Sequence, residues 1–155
     1  MTNANEVDFE TRRWIWGRDI VEPRLLHVAL RTTDIDRSLH FYVDGLGMKL
    51  MDRISIGPNR ATVAFVGFGD DYRAGGFIEL AHYADHEGPY THGTGFHHIS
   101  IGVPDIHATV ARLEAMGTEV TVRPTMYLDK GPWIAYVKDP DGYPVEFLQT
   151  VMDHS

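Results

Sequence analysis

The sequence predicts an α+β fold made of two tandem βαβββ modules, and three observations predict it. First, the chain repeats itself. A shift of 71 residues carries His27-Val28-Ala29-Leu30, Asp34-Ile35 and Ser38-Leu39 onto His98-Ile99-Ser100-Ile101, Asp105-Ile106 and Thr109-Val110, with identities and conservative exchanges in register. Second, each copy opens with a short apolar stretch followed by an aspartate, a residue whose side chain caps helix N-termini. Third, each copy continues into three more segments of strand-like composition separated by turn residues. The 155 residues, 43% hydrophobic and 23% charged, suit one packed domain of two half-size modules and exclude a second full domain.

Residues 1–22 stand apart: polar and acidic at first, then Trp14-Ile15-Trp16, with no sustained period. They read as an N-terminal arm whose tryptophans bury against a neighbouring surface. The main domain is residues 23–152, with module one at 23–85 and module two at 93–152. In module one the opening strand is His27 to Leu30. Ile35, Leu39, Tyr42 and Leu46 then recur at helical spacing, and Gly45 and Gly47 signal the helix end. Strands follow near 48–56, 61–67 and 76–82. In module two Ile106, Val110 and Leu113 mark the helix and Gly117 its end, with strands near 119–123, 132–138 and 143–149. Pro140-Asp141-Gly142 makes a turn before the last of these.

Charge and composition narrow the function. Fourteen Lys and Arg against 22 Asp and Glu leave a formal charge of −8, so neutralisation of a phosphate backbone has no obvious source. Nucleic acid and anionic membranes are therefore not expected partners. With no cysteine there are no disulfides, zinc-thiolate sites or thiolate nucleophiles, and any metal must be held by His, Asp or Glu. No apolar run approaches the ~18 residues of a membrane helix. The first 13 residues lack the apolar core of a signal peptide, so a cytoplasmic protein is expected.

The two-residue period of the strands sorts their side chains. Val28 and Leu30 point towards the module's helix, and His27, Ala29 and Arg31 point away. In module two Ile99 and Ile101 take the helix side and His98 and Ser100 the other. Each module ends in a strand with a carboxylate between apolar neighbours, Ile78-Glu79-Leu80 and Val145-Glu146-Phe147. A carboxylate in such a position costs several kcal/mol to bury unless it is paired or coordinated. The repeat thus offers one His and one Glu from each module. A shared divalent ion with open positions accounts for all four; a pair of His–Glu hydrogen bonds is the alternative.

These residues resemble glyoxalase I (lactoylglutathione lyase) of the vicinal oxygen chelate superfamily. The resemblance runs from Leu25 to Thr150. It is carried by Leu25 to Arg31, Ser38-Leu39-His40-Phe41-Tyr42, Gly45 to Leu50, Ala64-Phe65-Val66-Gly67, Phe77-Ile78-Glu79-Leu80, His97-His98-Ile99 and Asp139 to Tyr143. It implies the glyoxalase/bleomycin-resistance/dioxygenase fold, with curved mixed sheets forming a metal-centred barrel. It implies metal ligands at His27, Glu79, His98 and Glu146. It also implies a homodimer in which each site takes the first pair from one subunit and the second from the other. The implied reaction isomerises the hemithioacetal of methylglyoxal and glutathione to S-lactoylglutathione. Glu146 is the first candidate for proton transfer and Glu79 serves the opposite stereoface. A short chain without helical insertions resembles the branch that prefers nickel or cobalt, with zinc, manganese or iron as other possibilities.

Other features bear on the substrate. Arg31 matches the family arginine that helps hold the γ-glutamyl group, but Tyr83 replaces its usual asparagine partner. Lys130-Gly131-Pro132-Trp133 stands where the family tends to have a glycine-rich stretch over the thiol cofactor. Arg31, Tyr83, Lys130 and Trp133 are therefore the candidate substrate-binding residues. Thr32 and Ser100 also depart from the family beside the ligand strands. The alternatives are an epimerase or isomerase on a non-glutathione substrate, a metal-free small-molecule-binding protein and a ring-cleaving dioxygenase, and Glu79 argues for the isomerase side. Of the remaining histidines, His82, His86 and His92 are expected to be solvated in a loop. His40 and His107 are expected to be exposed on helices, and His97 to lie beside the pocket.

Overall fold

The computed structural model describes residues 20–57, 60–70 and 76–150, so Trp14-Ile15-Trp16 and most of the arm lie outside the described residues. The chain divides into two compact units, Met1–Tyr90 and Thr91–Ser155. The first contains β1 (His27–Arg31), α1 (Ile35–Leu39), β2 (Lys49–Ile56), β3 (Ala61–Gly67) and β4 (Phe77–Tyr83). The second contains β5 (Ile99–Gly102), α2 (Ile106–Ala115), β6 (Val120–Met126), β7 (Trp133–Lys138) and β8 (Pro144–Gln149). Each unit folds as the βαβββ module that the repeat predicts.

The sheets run β1-β4-β3-β2 and β5-β8-β7-β6. In both, the first strand pairs parallel with the last and the remaining pairs are antiparallel. The helix makes this possible, because a parallel neighbour can be reached only by a crossover. The first and last strands of each module, farthest apart in sequence, thereby lie side by side.

The helix boundaries follow the local signals. Asp34 accepts a hydrogen bond from the Arg37 N–H (3.0 Å), and Asp105 from the Ala108 N–H (2.9 Å). Helix α2 ends with Thr118 N–H bonding to Leu113 O and Gly117 N–H to Glu114 O, with Gly117 at φ +87°. That is the paired closure for which glycine is the preferred residue. Helix α1 instead widens into a π-helical stretch, His40–Gly45, in which Leu46 N–H reaches Phe41 O, before Gly47 turns the chain at φ +78°. At the corner between β1 and α1, the buried Thr32 and Ser38 hydroxyls bond to each other at 2.6 Å, and Thr32 N–H bonds to Ala81 O. This ties the corner to β4.

Tyr42, Phe65, Val66 and Leu80 are fully buried in the first unit, as are Ile106, Leu113, Val137, Val145 and Phe147 in the second. Three details differ from expectation. Strand β6 runs to Met126, past the expected end at 123, because an edge strand accommodates Pro124, whose missing N–H costs no ladder bond there. Val28, expected under the helix, is 47% exposed on edge strand β1. His82 is not in a loop but on β4, with its Nδ1 at 3.2 Å from Thr32 O. Among the described residues no helix is long and apolar enough to cross a membrane.

Two stability outcomes follow. Phe147→Ala should cost about 3–5 kcal/mol, since the ring is fully enclosed and a cavity would remain. Asp34→Ala and Asp105→Ala should each cost about 1 kcal/mol through the lost cap. Urea midpoints at constant m-value would measure all three, and a cap variant as damaging as the core variant would contradict this ranking.

Candidate metal centre

Strand pairing places each glutamate. In the first unit Glu79 on β4 lies between Ala29 on β1 and Phe65 on β3, and in the second Glu146 on β8 lies between Ser100 on β5 and Tyr136 on β7. Their apolar neighbours Ile78, Leu80, Val145 and Phe147 are buried. Alternation therefore sends both carboxylates to the other face, as expected. His27 lies two residues before Ala29, and His98 two before Ser100, one residue ahead of β5, so each imidazole stands over its module's glutamate.

His27 Nε2 is 2.9 Å from Glu79 Oε2, and His98 Nε2 is 3.2 Å from Glu146 Oε2. All four side chains are partly buried, at 24% and 21% exposure in the first pair and 26% and 13% in the second. Two donor atoms bound at about 2.1 Å to one ion sit roughly 3.0 Å apart at a right-angled corner and roughly 3.4 Å apart at a tetrahedral one. Both pairs have separations suited to neighbouring ligands on a first-row divalent ion, and the same separations suit a hydrogen bond. Among the described residues no three of His, Asp or Glu form a group that would hold an ion, so each unit supplies a pair.

The surroundings of the pairs differ. Tyr136 donates its hydroxyl to Glu146 Oε1 at 2.6 Å, and Ser100 also hydrogen-bonds the Glu146 carboxylate. Burial pushes the Glu146 carboxyl up, but the Tyr136 and Ser100 hydrogen bonds and the His98 and His97 rings outweigh it and hold the group below the usual carboxylate value. The same hydrogen bond, burial and the carboxylate's charge push the Tyr136 hydroxyl up to about 12. The Nδ1 atoms of His97 and His98 are 2.6 Å apart, so one ring carries a proton there and the other accepts it. In the first unit Phe65 meets the His27 ring edge-on at 5.4 Å, and His27 Nδ1 is buried without a hydrogen-bond partner among the described residues.

The other candidates disperse. The Arg31 guanidinium lies over the Tyr83 ring at 5.3 Å and the Tyr90 ring at 5.9 Å, which brings Arg31 and Tyr83 together. Lys130 is exposed in the turn after β6. Trp133 shares the face of the buried Ala135 and Val137 and meets the His107 ring at 4.9 Å, so it lies on the opposite side of the sheet from Glu146. His86 and His92 are not simply solvated: they stack on Tyr90 at 3.8 Å and Tyr143 at 4.1 Å. Sequence reasoning missed Tyr136. The signal was available, because a hairpin centred on Asp141 pairs residue 136 with residue 146.

Known proteins share both sequence and fold. A probable lactoylglutathione lyase of Vibrio cholerae is 39% identical over 132 residues, covering 85% of this chain and 94% of that protein. The lactoylglutathione lyase of Haemophilus influenzae is 42% identical over 127 residues, covering 81% and 92%. Glyoxalase I from Zea mays matches the structure with a TM-score of 0.77 at 31% identity over 83% of this chain. It covers 45% of the maize chain, so the protein spans less than half that enzyme's length. The trypanothione-dependent glyoxalase I of Leishmania major matches with a TM-score of 0.71 at 31% identity, over 83% of this chain and 87% of that one. Residues 24–147 match the family model of the Glyoxalase/Bleomycin resistance protein/Dioxygenase superfamily, and the chain belongs to that superfamily.

Proposed function

We propose that the protein is a metal-dependent lactoylglutathione lyase that isomerises the hemithioacetal of methylglyoxal and glutathione to S-lactoylglutathione, working as a cytoplasmic homodimer. The observation that carries this reading is the pair of repeat-related His–Glu contacts, 2.9 and 3.2 Å, in a chain about 40% identical to lactoylglutathione lyases. His27, Glu79, His98 and Glu146 would hold the ion, each site taking one pair from each subunit, with nickel or cobalt preferred. A divalent ion held there would supply Lewis acidity to the substrate's oxygens and so acidify its C1–H bond.

The chain's own task is to move one proton. A carboxylate takes it from C1, and the electron pair of that bond becomes the C1–C2 double bond of an enediolate. The carboxylic acid returns the proton to C2, the hydroxyl proton of C1 passes to the oxygen on C2, and the carboxylate is regenerated. No electrons leave the substrate, so no redox cofactor is required. Glu146, with Glu79 for the opposite stereoface, would take this step. A second reading, an epimerase or isomerase on a non-glutathione substrate, is favoured by one observation: Tyr83 covers Arg31 where the family has an asparagine.

Protein stripped by a chelator should be inactive towards methylglyoxal plus glutathione and recover thioester formation with nickel or cobalt more than with zinc. Metal binding without turnover would favour the second reading. A protein that takes up none of nickel, cobalt, zinc or manganese would be a binding module instead.

Assembly has its own outcome. Mixing inactive His27→Ala with inactive His98→Ala, with exchange verified by a tagged partner, should restore activity, because one heterodimer site collects both lesions and the other neither. If exchange occurs and the mixture stays dead, the sites are not shared between subunits.

A further inference from the structure

Arg31 ends β1 on the face of His27 and Ala29, and Ala29 is the strand neighbour of Glu79. Four extended residues set Arg31 about 13 Å from His27 along that face. Arg53, Arg60 and Arg123 meet carboxylates at 2.7, 2.9 and 2.6 Å. Among the described residues Arg31 meets none. Its contacts are aromatic: the guanidinium carbon lies 5.3 Å from the centre of the Tyr83 ring and 5.9 Å from that of Tyr90. In a chain with 22 acidic against 14 basic residues, an exposed arginine left without an acid keeps its N–H edge open for an anion from outside.

The rings that flank Arg31 are themselves held. Tyr83 packs against the cluster of Ile54, Val63, Phe65 and Ala81, and Phe65 is also the ring that meets His27 edge-on. Tyr90 carries the His86 imidazole flat against it, at 3.8 Å and 6°. A turn in which His86 N–H bonds to Tyr83 O at 3.1 Å lies between the two tyrosines. Aromatic contacts use the faces of a guanidinium and leave its edge to bind. An ammonium ion brought to that edge meets a like charge. The carboxylate of nearby Asp85 is already held by Arg60 at 2.9 Å, and the tyrosine faces that would attract a cation are turned to Arg31, His86 or the apolar cluster.

We propose that Tyr83 and Tyr90, the latter held by His86, fix Arg31 edge-on as a reader of a carboxylate alone, so that the thiol carrier is selected by that group and not by an ammonium beside it. This rests on the function proposed above and narrows its co-substrate. Glutathione carries an ammonium and a carboxylate on one carbon of its glutamyl end. Only the carboxylate contributes here, and a carrier lacking the ammonium is accepted equally. Tyr83, Tyr90 and His86 are positioning residues, because they act through Arg31.

The test titrates S-methylglutathione, whose blocked sulfur cannot form the adduct, into the full-length protein supplied with cobalt(II), by calorimetry. S-methyl glutaryl-cysteinylglycine, the same molecule with hydrogen in place of the ammonium, should bind no more than about threefold more weakly, since no contact is lost. The analogue whose glutamyl α-carboxylate is an amide should bind about 10- to 100-fold more weakly, through loss of a charge-assisted pair. Tyr90→Leu should weaken S-methylglutathione about 3- to 30-fold, and Tyr90→Phe, which keeps the ring, should restore binding. In turnover of methylglyoxal plus glutathione, Tyr90→Leu should raise KM by more than it lowers kcat, a split that a folding defect would not produce. Tyr83→Asn adds a carbonyl acceptor and should create a preference of about tenfold for the ammonium-bearing probe. Should Tyr90→Leu not fold, Arg31→Lys, at an exposed position, replaces the fork with a point charge and should bind S-methylglutathione about tenfold more weakly. A native protein that prefers the ammonium-bearing probe by more than about threefold, or that tolerates the amide, would overturn the carboxylate reader and leave the isomerase reading intact. If the probes rank as stated but no thioester forms, the proposed function falls and the carboxylate reader stands. A protein that binds none of the three probes would overturn the reader.

Discussion

The structure depends on the parallel pairing of each module's first strand with its last. That pairing sets a histidine beside a glutamate that is itself held between buried apolar residues. A partly buried carboxylate has lost much of its water and must be compensated by a positive, hydrogen-bonding or coordinating group. At 2.9 and 3.2 Å the imidazoles supply that compensation, and the pairs then present nitrogen and oxygen donors side by side. The rest of each module serves this register. A slip of one residue along β4 or β8 would turn the glutamate into the helix-facing layer and a buried aliphatic out of it.

Several local devices guard the register. The Asp139 carboxylate accepts from the Asp141 and Tyr143 N–H groups, both at 2.9 Å, and Gly142 adopts φ +88°, so the hairpin between β7 and β8 closes in one way and brings Tyr136 level with Glu146. His92 stacks on Tyr143 immediately beyond that turn. In the first unit the buried Thr32–Ser38 hydroxyl pair and the Thr32 N–H bond to Ala81 O tie the end of β1 to β4. Thr32 thus has a structural role: its hydroxyl holds the corner at the end of the His27 strand.

Duplication explains how one short motif yields two His–Glu pairs, and divergence between the copies explains why their surroundings differ. The skeletons of the two pairs agree closely, but the atoms that touch them do not. Hydroxyls and a second imidazole surround the pair in module two, and a phenyl ring and a methyl group surround the pair in module one. The low carboxyl pKa of Glu146 and the raised hydroxyl pKa of Tyr136 are two expressions of that environment, since one hydrogen bond stabilises the ionised carboxylate and the protonated phenol together. Around Arg31 the same principle appears in apolar form: tyrosine faces, not a side-chain amide, meet its charge.

The sequence by itself determined the module architecture, the helix caps at Asp34 and Asp105, the glycine closures at Gly47 and Gly117, and the four ligand-type residues with the faces they occupy. These are encoded in period, spacing and repetition, which act over a few residues or through a constant shift, so they can be read without a fold. Tertiary structure decided what depends on which strands become neighbours. Tyr136 touches Glu146 only because β7 pairs with β8, and Trp133 turns to His107 because it enters β7 in the register of Ala135. Pro124 is tolerated because β6 is an edge strand. The neighbours of Glu79 and Glu146 come from strands distant in the chain. Whether hydroxyls or apolar groups flank each carboxylate is therefore a property of strand order, which a linear pattern does not carry.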